Sequence, residues 1–114
     1  EYYDKAIAYF QEEVDNPEIF VFSDDIEWCK ENLQYKLPLT FVGHEYKGKR
    51  FGKYLYLMSL CKHFIIPNST FGWWAAWLSR NEQKKVVMPK PWALHSDYFP
   101  PYIFTEGCVK MSWT

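Results

Sequence analysis

The chain has 114 residues, of which 48% are hydrophobic and 21% aromatic, and this length fits one folded domain with its own core. Thirteen basic and 14 acidic residues leave a formal net charge of -1, which argues against a protein that binds nucleic acid through overall charge. No apolar run reaches the ~20 residues of a membrane span, and three widely spaced cysteines indicate reduced thiols rather than a disulfide framework. We therefore expect a cytoplasmic protein.

Strands and helices alternate along most of the chain. Apolar side chains that recur every three or four residues predict helices over residues 2–14, 26–33, 54–61 and 71–80. Short runs of strand-forming residues predict strands at 19–22, 39–42, 63–67 and 85–89. Because these strands are continuously apolar, they predict an α/β fold, a Rossmann-like open parallel sheet with helices on both faces. Residues 93–114 show no clear period and are expected to form an irregular tail that wraps the surface or docks.

The hinge after the third strand, Asn68-Ser69-Thr70, is one candidate site. In open parallel sheets, ligands bind at the carboxyl ends of strands, where helix amino termini present unpaired N–H groups. The polar side chains of this hinge can donate to a ligand phosphate, and Gly72 would allow a close approach to the first helical turn. An ordinary helix cap is the alternative. The pattern leaves a diphosphate cradle and a cap both open.

The hinge after the first strand, Ser23-Asp24-Asp25, is a second candidate site. A helix amino terminus needs only one capping acid, so one carboxylate is spare. That spare acid can accept hydrogen bonds from a ribose or a base, or hold a divalent metal, unless it is merely solvated.

A polar loop, "GHEYKGKRFGK", follows the second strand and contains four lysine or arginine residues. It contains His44, Lys47, Lys49, Arg50 and Lys53. These side chains can reach a phosphate, although a charged loop is more often simply hydrated.

Three blocks, "FVFSDDIEWCKENL", "LYLMSLCKHFIIPNSTFGWWAAWLS" and "KKVVMPKPW", resemble the carboxyl-terminal half of the alpha-1,2-fucosyltransferases, glycosyltransferase family 11. The resemblance covers residues 1–92, which it implies are a nucleotide-sugar-binding Rossmann-like domain, one half of a GT-B scaffold. It implies transfer of L-fucose from GDP-fucose to the 2-hydroxyl of a terminal galactose on a glycan, with inversion. It also implies polysaccharide biosynthesis without a metal or a cofactor beyond the donor substrate.

The same resemblance implies donor-binding roles for both hinges and leaves the catalytic base unassigned. The donor-binding positions are Ser23, Asp24, Asp25, Asn68, Ser69, Thr70 and Phe71. The tryptophans Trp73, Trp74 and Trp77 also match the family, and their helical spacing predicts that most of them are core residues.

Two departures from the family qualify these expectations. The family's His-x-Arg-Arg-Gly-Asp motif lies upstream of the matching region, so we expect this chain to be incomplete and inactive without an amino-terminal domain. Tyr54-Leu55 stands where family members often carry an acid, expected to contact guanine, and a methionine. The aromatic excess suggests self-association as a homo-oligomer, and the resemblance allows a peripheral location at the inner membrane.

Two other functions fit parts of the pattern. A noncatalytic nucleotide- or sugar-binding module could be built from half a transferase. A receiver-like phosphoacceptor domain would use Asp24-Asp25, Thr70 and Lys90-Pro91, but Gly43-His44 follows the second strand where the acceptor aspartate should stand.

Overall fold

A computed structural model describes residues 1–92, 103–105 and 107–114. The helices are α1 (Tyr2–Glu13), α2 (Ile26–Asn32), α3 (Gly52–Ser59) and α4 (Thr70–Leu78). The strands are β1 (Ile19–Val21), β2 (Leu39–Phe41), β3 (Phe64–Ile65), β4 (Val86–Pro89) and β5 (Val109–Met111), and short 3-10 turns cover His44–Tyr46 and Lys49–Phe51. Within these ranges, no helix is long and apolar enough to cross a membrane.

All paired strands of the described residues run parallel, which confirms the predicted α/β class. β1 pairs with β2, with Ile19 opposite Leu39. β4 lies between β3 and β5, with Phe64 opposite Val86. The described strands thus form two parallel ladders, a finer division than the single open sheet that we expected.

Strand β4 is buried along its whole length because helices cover both of its faces. Successive side chains of a strand point to opposite faces. Val86 and Met88 accordingly pack in one core cluster with Ala75 and Ala76 of α4, whereas Val87 packs in another with α1. This two-sided cover explains the continuous apolar run of β4, which is typical of a parallel strand.

Strand β5 lies inside the segment that we expected to be irregular. It pairs with β4, and next to this ladder the Lys90 N–H donates to the Met111 carbonyl at 2.9 Å. Its three residues, one of them the exposed Lys110, are too few to show a period in the sequence. Residues 93–102 and 106 of the expected tail lie outside the described residues, and the domain boundary at residue 92 stays a prediction.

The prediction that most of the tryptophans are core residues is wrong. Trp74 is 48% exposed and Trp77 57%, while Trp73 is half-buried and its ring stacks on that of Trp77 with centroids 5.5 Å apart. The small residues Ala75 and Ala76 face the sheet instead, because they let α4 approach the strands closely. Self-association through this exposed aromatic surface stays a prediction.

Candidate functional site

Tyr54 of α3 ties together the ends of the first two strands. Its side chain is buried, with 2% of its surface exposed. Its hydroxyl donates to the Val42 carbonyl at 2.7 Å and accepts from the Ser23 N–H at 3.0 Å. Val42 follows β2 and Ser23 lies two residues after β1. One phenol therefore fixes the acidic hinge, residues 23–25, against the carboxyl end of β2.

The Tyr54 ring also lies between the two hinges. Its centroid is 5.0 Å from that of Phe22, just before the acidic hinge, and 6.2 Å from that of Phe71, in the first turn of α4. The two candidate sites, 45 positions apart in the sequence at Ser23 and Asn68, are thus linked through one aromatic side chain.

Burial raises the pKa of the Tyr54 phenol. Both hydrogen-bonding directions of its hydroxyl are already used within the protein, by an acceptor and a donor. Tyr54 therefore has a structural role at the position where the resemblance implies a guanine-binding acid, and it is not free to take over that contact. Sequence reasoning noted this position as a departure but did not foresee its role.

The two carboxylates of the acidic hinge have different roles. Asp25 is the amino-terminal cap of α2, since its Oδ1 accepts from the Trp28 N–H at 3.2 Å. The Ser23 hydroxyl accepts from the Asp25 N–H at 3.0 Å. Asp24 is exposed, and its carboxylate has no hydrogen bond or ion pair to any other residue that the structure describes. Asp24 is thus the spare acid that the pattern indicated.

The phosphate hinge, residues 68–70, leaves its polar side chains uncommitted. Ser69 is the amino-terminal cap position of α4 but makes no side-chain cap hydrogen bond. Asn68 and Thr70 are exposed, and within the described ranges their side chains have no partner either. Of the two alternatives left open by the sequence, the side-chain helix cap is therefore not formed. The amino terminus of a helix without such a cap presents N–H groups and a partial positive charge outward.

Gly72 serves packing rather than ligand approach, which corrects the expectation from the sequence. It is buried, and a Cβ at this position would lie 3.2 Å from both Cβ and Cγ2 of Ile66. The missing side chain lets the first turn of α4 rest on the residue that follows β3. The start of α4, which includes Thr70 of the phosphate hinge, is consequently packed directly against the end of β3.

His44 joins the loop after β2 to the acidic hinge. Its Nε2 lies 2.6 Å from the Ser23 carbonyl oxygen, and because a carbonyl only accepts, this nitrogen carries the hydrogen. The imidazole also packs edge-on against Tyr54, with centroids 5.6 Å apart. Three polar segments, each at the carboxyl end of a parallel strand, are thereby connected at one edge of the fold, as binding sites in such folds are.

In the described parts of the chain, no three His, Cys, Asp or Glu side chains are grouped closely enough to hold a metal ion. Metal independence of the reaction stays a prediction, because a ligand set can draw on other residues.

Comparison with known proteins gives consistent matches. The sequence profile described as glycosyl transferase family 11 matches residues 1–101. The chain is 41% identical over 92 residues to the O-antigen biosynthesis glycosyltransferase WbnK of Escherichia coli, covering 81% of this chain and 30% of that protein. It is 40% identical over 94 residues to an alpha-1,2-colitosyltransferase of Escherichia coli, covering 80% and 31%.

A more distant relative comes from an animal. The chain is 34% identical over 79 residues to galactoside alpha-(1,2)-fucosyltransferase 2 of Mus musculus, which covers 68% of this chain and 22% of that protein. The chain thus spans less than a third of the length of these relatives. No solved structure matches it.

Proposed function

The chain belongs to glycosyl transferase family 11, and from this membership we propose that it is the donor-binding part of an alpha-1,2-fucosyltransferase. The donor is GDP-fucose, and the acceptor is the 2-hydroxyl of a terminal galactose on a glycan. This proposal is supported by relatives named as alpha-1,2-fucosyltransferases. A receiver-like function has no comparable support. The proposed location is cytoplasmic, at the inner membrane surface.

The observation that carries the proposal is the uncapped phosphate hinge. Asn68, Ser69 and Thr70 stand at the start of α4 with their side chains uncommitted among the described residues. A helix amino terminus favours anions through its N–H groups and its dipole. The diphosphate of GDP is such an anion, and the exposed Asp24 carboxylate of the acidic hinge, which Tyr54 links to this one, can accept hydrogen bonds from the ribose or the base.

This arrangement assigns a chemical role to the hinge. The galactose hydroxyl attacks the anomeric carbon of fucose while the bond from that carbon to the diphosphate oxygen breaks, with inversion. The bonding electron pair leaves with GDP, and the proton of the hydroxyl passes to a base. Negative charge grows on the diphosphate during this step, so N–H and hydroxyl donors fixed at its oxygens stabilise the transition state.

A second donor sugar has a specific observation in its favour. The relative that is 40% identical is named as an alpha-1,2-colitosyltransferase, whereas the mouse alpha-(1,2)-fucosyltransferase is 34% identical. Competition between GDP-fucose and GDP-colitose for the same site distinguishes the two. Tighter binding of GDP-colitose would replace fucose by colitose in the proposal and leave the nucleotide site unchanged.

Substitution of the hinge tests the donor site. We expect Asn68→Ala and Ser69→Ala each to weaken GDP binding at least tenfold, about 1.4 kcal/mol in titration calorimetry. Gln34→Ala is the matched control, because Gln34 is exposed and lies before β2, at the opposite ends of the parallel strands. GDP affinity equal to that of the unmodified chain in both hinge variants would refute the assignment.

A further inference from the structure

The segment between β2 and the first turn of α3, residues 43–53, is a concentrated patch of positive charge, here called the basic loop. Its four cations, Lys47, Lys49, Arg50 and Lys53, are all exposed, and Glu45 is its only acid. In the described residues, none of the four forms an ion pair. In a chain of formal net charge -1, this local excess is available to an external anion.

The basic loop is fastened at the same edge as both hinges. At its start, the His44 Nε2 donates to the Ser23 carbonyl at 2.6 Å. At its end, Tyr54 packs against Phe71 in the first turn of α4, with centroids 6.2 Å apart. The loop is therefore anchored to the acidic hinge at its start and leads at its end into a residue that packs against the first turn of α4.

The backbone of the loop holds a conformation that side chains disfavour. Arg50 and Phe51 are consecutive residues with positive φ, at 51° and 60°. Left-handed residues other than glycine are uncommon, and they cluster at functional sites because the surroundings must enforce them. The Lys47 ammonium lies 5.6 Å from the centre of the Phe51 ring, which helps to hold this turn. The side chains of Lys49 and Arg50 form no hydrogen bond or ion pair with any of the described residues.

The proposed donor site needs a cation that neither hinge supplies. The segment 66–72 contains no basic residue, and the acidic hinge adds two carboxylates at the same edge. These carboxylates repel a diphosphate. The amino terminus of α4 carries only a partial positive charge with which to offset that repulsion. Lysine supplies a point charge to phosphate, and arginine supplies a planar pair of donors.

We propose that Lys49 and Arg50 of the basic loop bind the diphosphate oxygens of the donor, opposite the amino terminus of α4. This inference rests on the proposed function and adds two binding residues to it. The loop balances the charge of the acidic hinge, so that Asp24 can lie beside a ligand whose diphosphate is anionic.

Removal of both charges, with a polar side chain kept at each position, tests the proposal. The variant K49Q/R50Q should bind both inorganic pyrophosphate and GDP at least tenfold more weakly than the unmodified chain by titration calorimetry, about 1.4 kcal/mol. The matched control is K36Q/K62Q, which removes the same charge from two exposed lysines that precede β2 and β3. It should change either affinity by less than about twofold, because at ordinary salt charges beyond roughly 10 Å are screened.

A charge-conserving variant separates binding from folding. K49R/R50K retains both cations, so it should bind pyrophosphate within about threefold of the unmodified chain, since the electrostatic attraction is kept. Loss of pyrophosphate binding in K49R/R50K, with an unchanged unfolding midpoint, would overturn a role for the two positive charges.

The remaining outcomes distinguish this inference from the proposed function. If K49Q/R50Q binds pyrophosphate and GDP as the unmodified chain does, while Asn68→Ala weakens GDP binding, the basic-loop proposal fails and the donor site stands. Equal weakening in K36Q/K62Q would also overturn it, since net charge would then be the cause. If the unmodified chain binds neither probe, both proposals fail.

Discussion

Removing the hydroxyl of Tyr54 is the sharpest test of how the site is held together. Tyr54→Phe keeps the buried ring and its aromatic contacts but deletes one oxygen. That oxygen donates to the Val42 carbonyl at 2.7 Å and accepts from the Ser23 N–H at 3.0 Å. The substitution leaves a backbone acceptor and a backbone donor without their partner at the ends of two different strands.

The expected loss of stability follows from these two groups. A buried polar group left without a partner costs about 1–3 kcal/mol. Ser23 and Val42 are half-buried, so water can reach them in part, and the lower half of this range applies to each. The free energy of unfolding should fall by roughly 2–4 kcal/mol, a large share of the 5–15 kcal/mol of a typical domain.

Urea denaturation followed by tryptophan fluorescence measures this loss. Tyr56→Phe is the matched control on the same helix, because Tyr56 is 61% exposed and its hydroxyl has no partner in the described residues. The control should change the free energy of unfolding by less than about 0.5 kcal/mol. A Tyr54→Phe loss as small as that of the control would refute the reasoning. Tyr54→Asp should cost still more, about 3–5 kcal/mol, because it buries a charge.

The remaining predictions concern packing and pH. Gly72→Ala should lower the free energy of unfolding by about 0.5–2 kcal/mol, because the pressure of its Cβ on the fully buried Ile66 outweighs the gain in helix propensity, and an unchanged or higher thermal midpoint would contradict this. His63 accepts the Lys85 N–H through Nδ1 at 3.0 Å, and burial, reinforced by neighbouring lysines, lowers its pKa below 6.5. The folding stability that neutral His63 contributes is therefore complete above pH 6.5, and it is lost as pH falls through the lower pKa of the folded state. His63→Asn, which keeps an acceptor, should lose less stability than the unmodified chain between about pH 7 and pH 5.

The order of helices and strands could be predicted from the sequence because periodicity is a local property. Periodicity also predicted that most of Trp73, Trp74 and Trp77 lie on the packed face of α4, which is wrong for Trp74 and Trp77. It could not decide which side of the helix is buried, since that depends on how closely the helix approaches the sheet. Ala75 and Ala76 permit the closer approach, and the tryptophans lie outward. Strand β5 was missed because three residues with an exposed lysine carry too little pattern.

The candidate site was predictable in position but not in its connections. The hinges followed from where strands end, and one spare acid followed from the count of capping groups. The contacts of Tyr54 join residues 12 and 31 positions away, and no local pattern encodes contacts at such separations. The same holds for His44, whose bond to Ser23 spans 21 positions. These links depend on the tertiary fold, so only the structure could supply them.

The central claim is that the edge formed by the two hinges binds a guanosine diphosphate. Titration calorimetry of this chain with GDP, compared with GMP, UDP and ADP, tests it most directly. The account predicts measurable GDP binding, even if only at high micromolar affinity, with GMP weaker by at least about tenfold for want of the second phosphate, and with UDP and ADP weaker than GDP for want of guanine. Equal affinity for all four nucleotides, or binding of none, would contradict it.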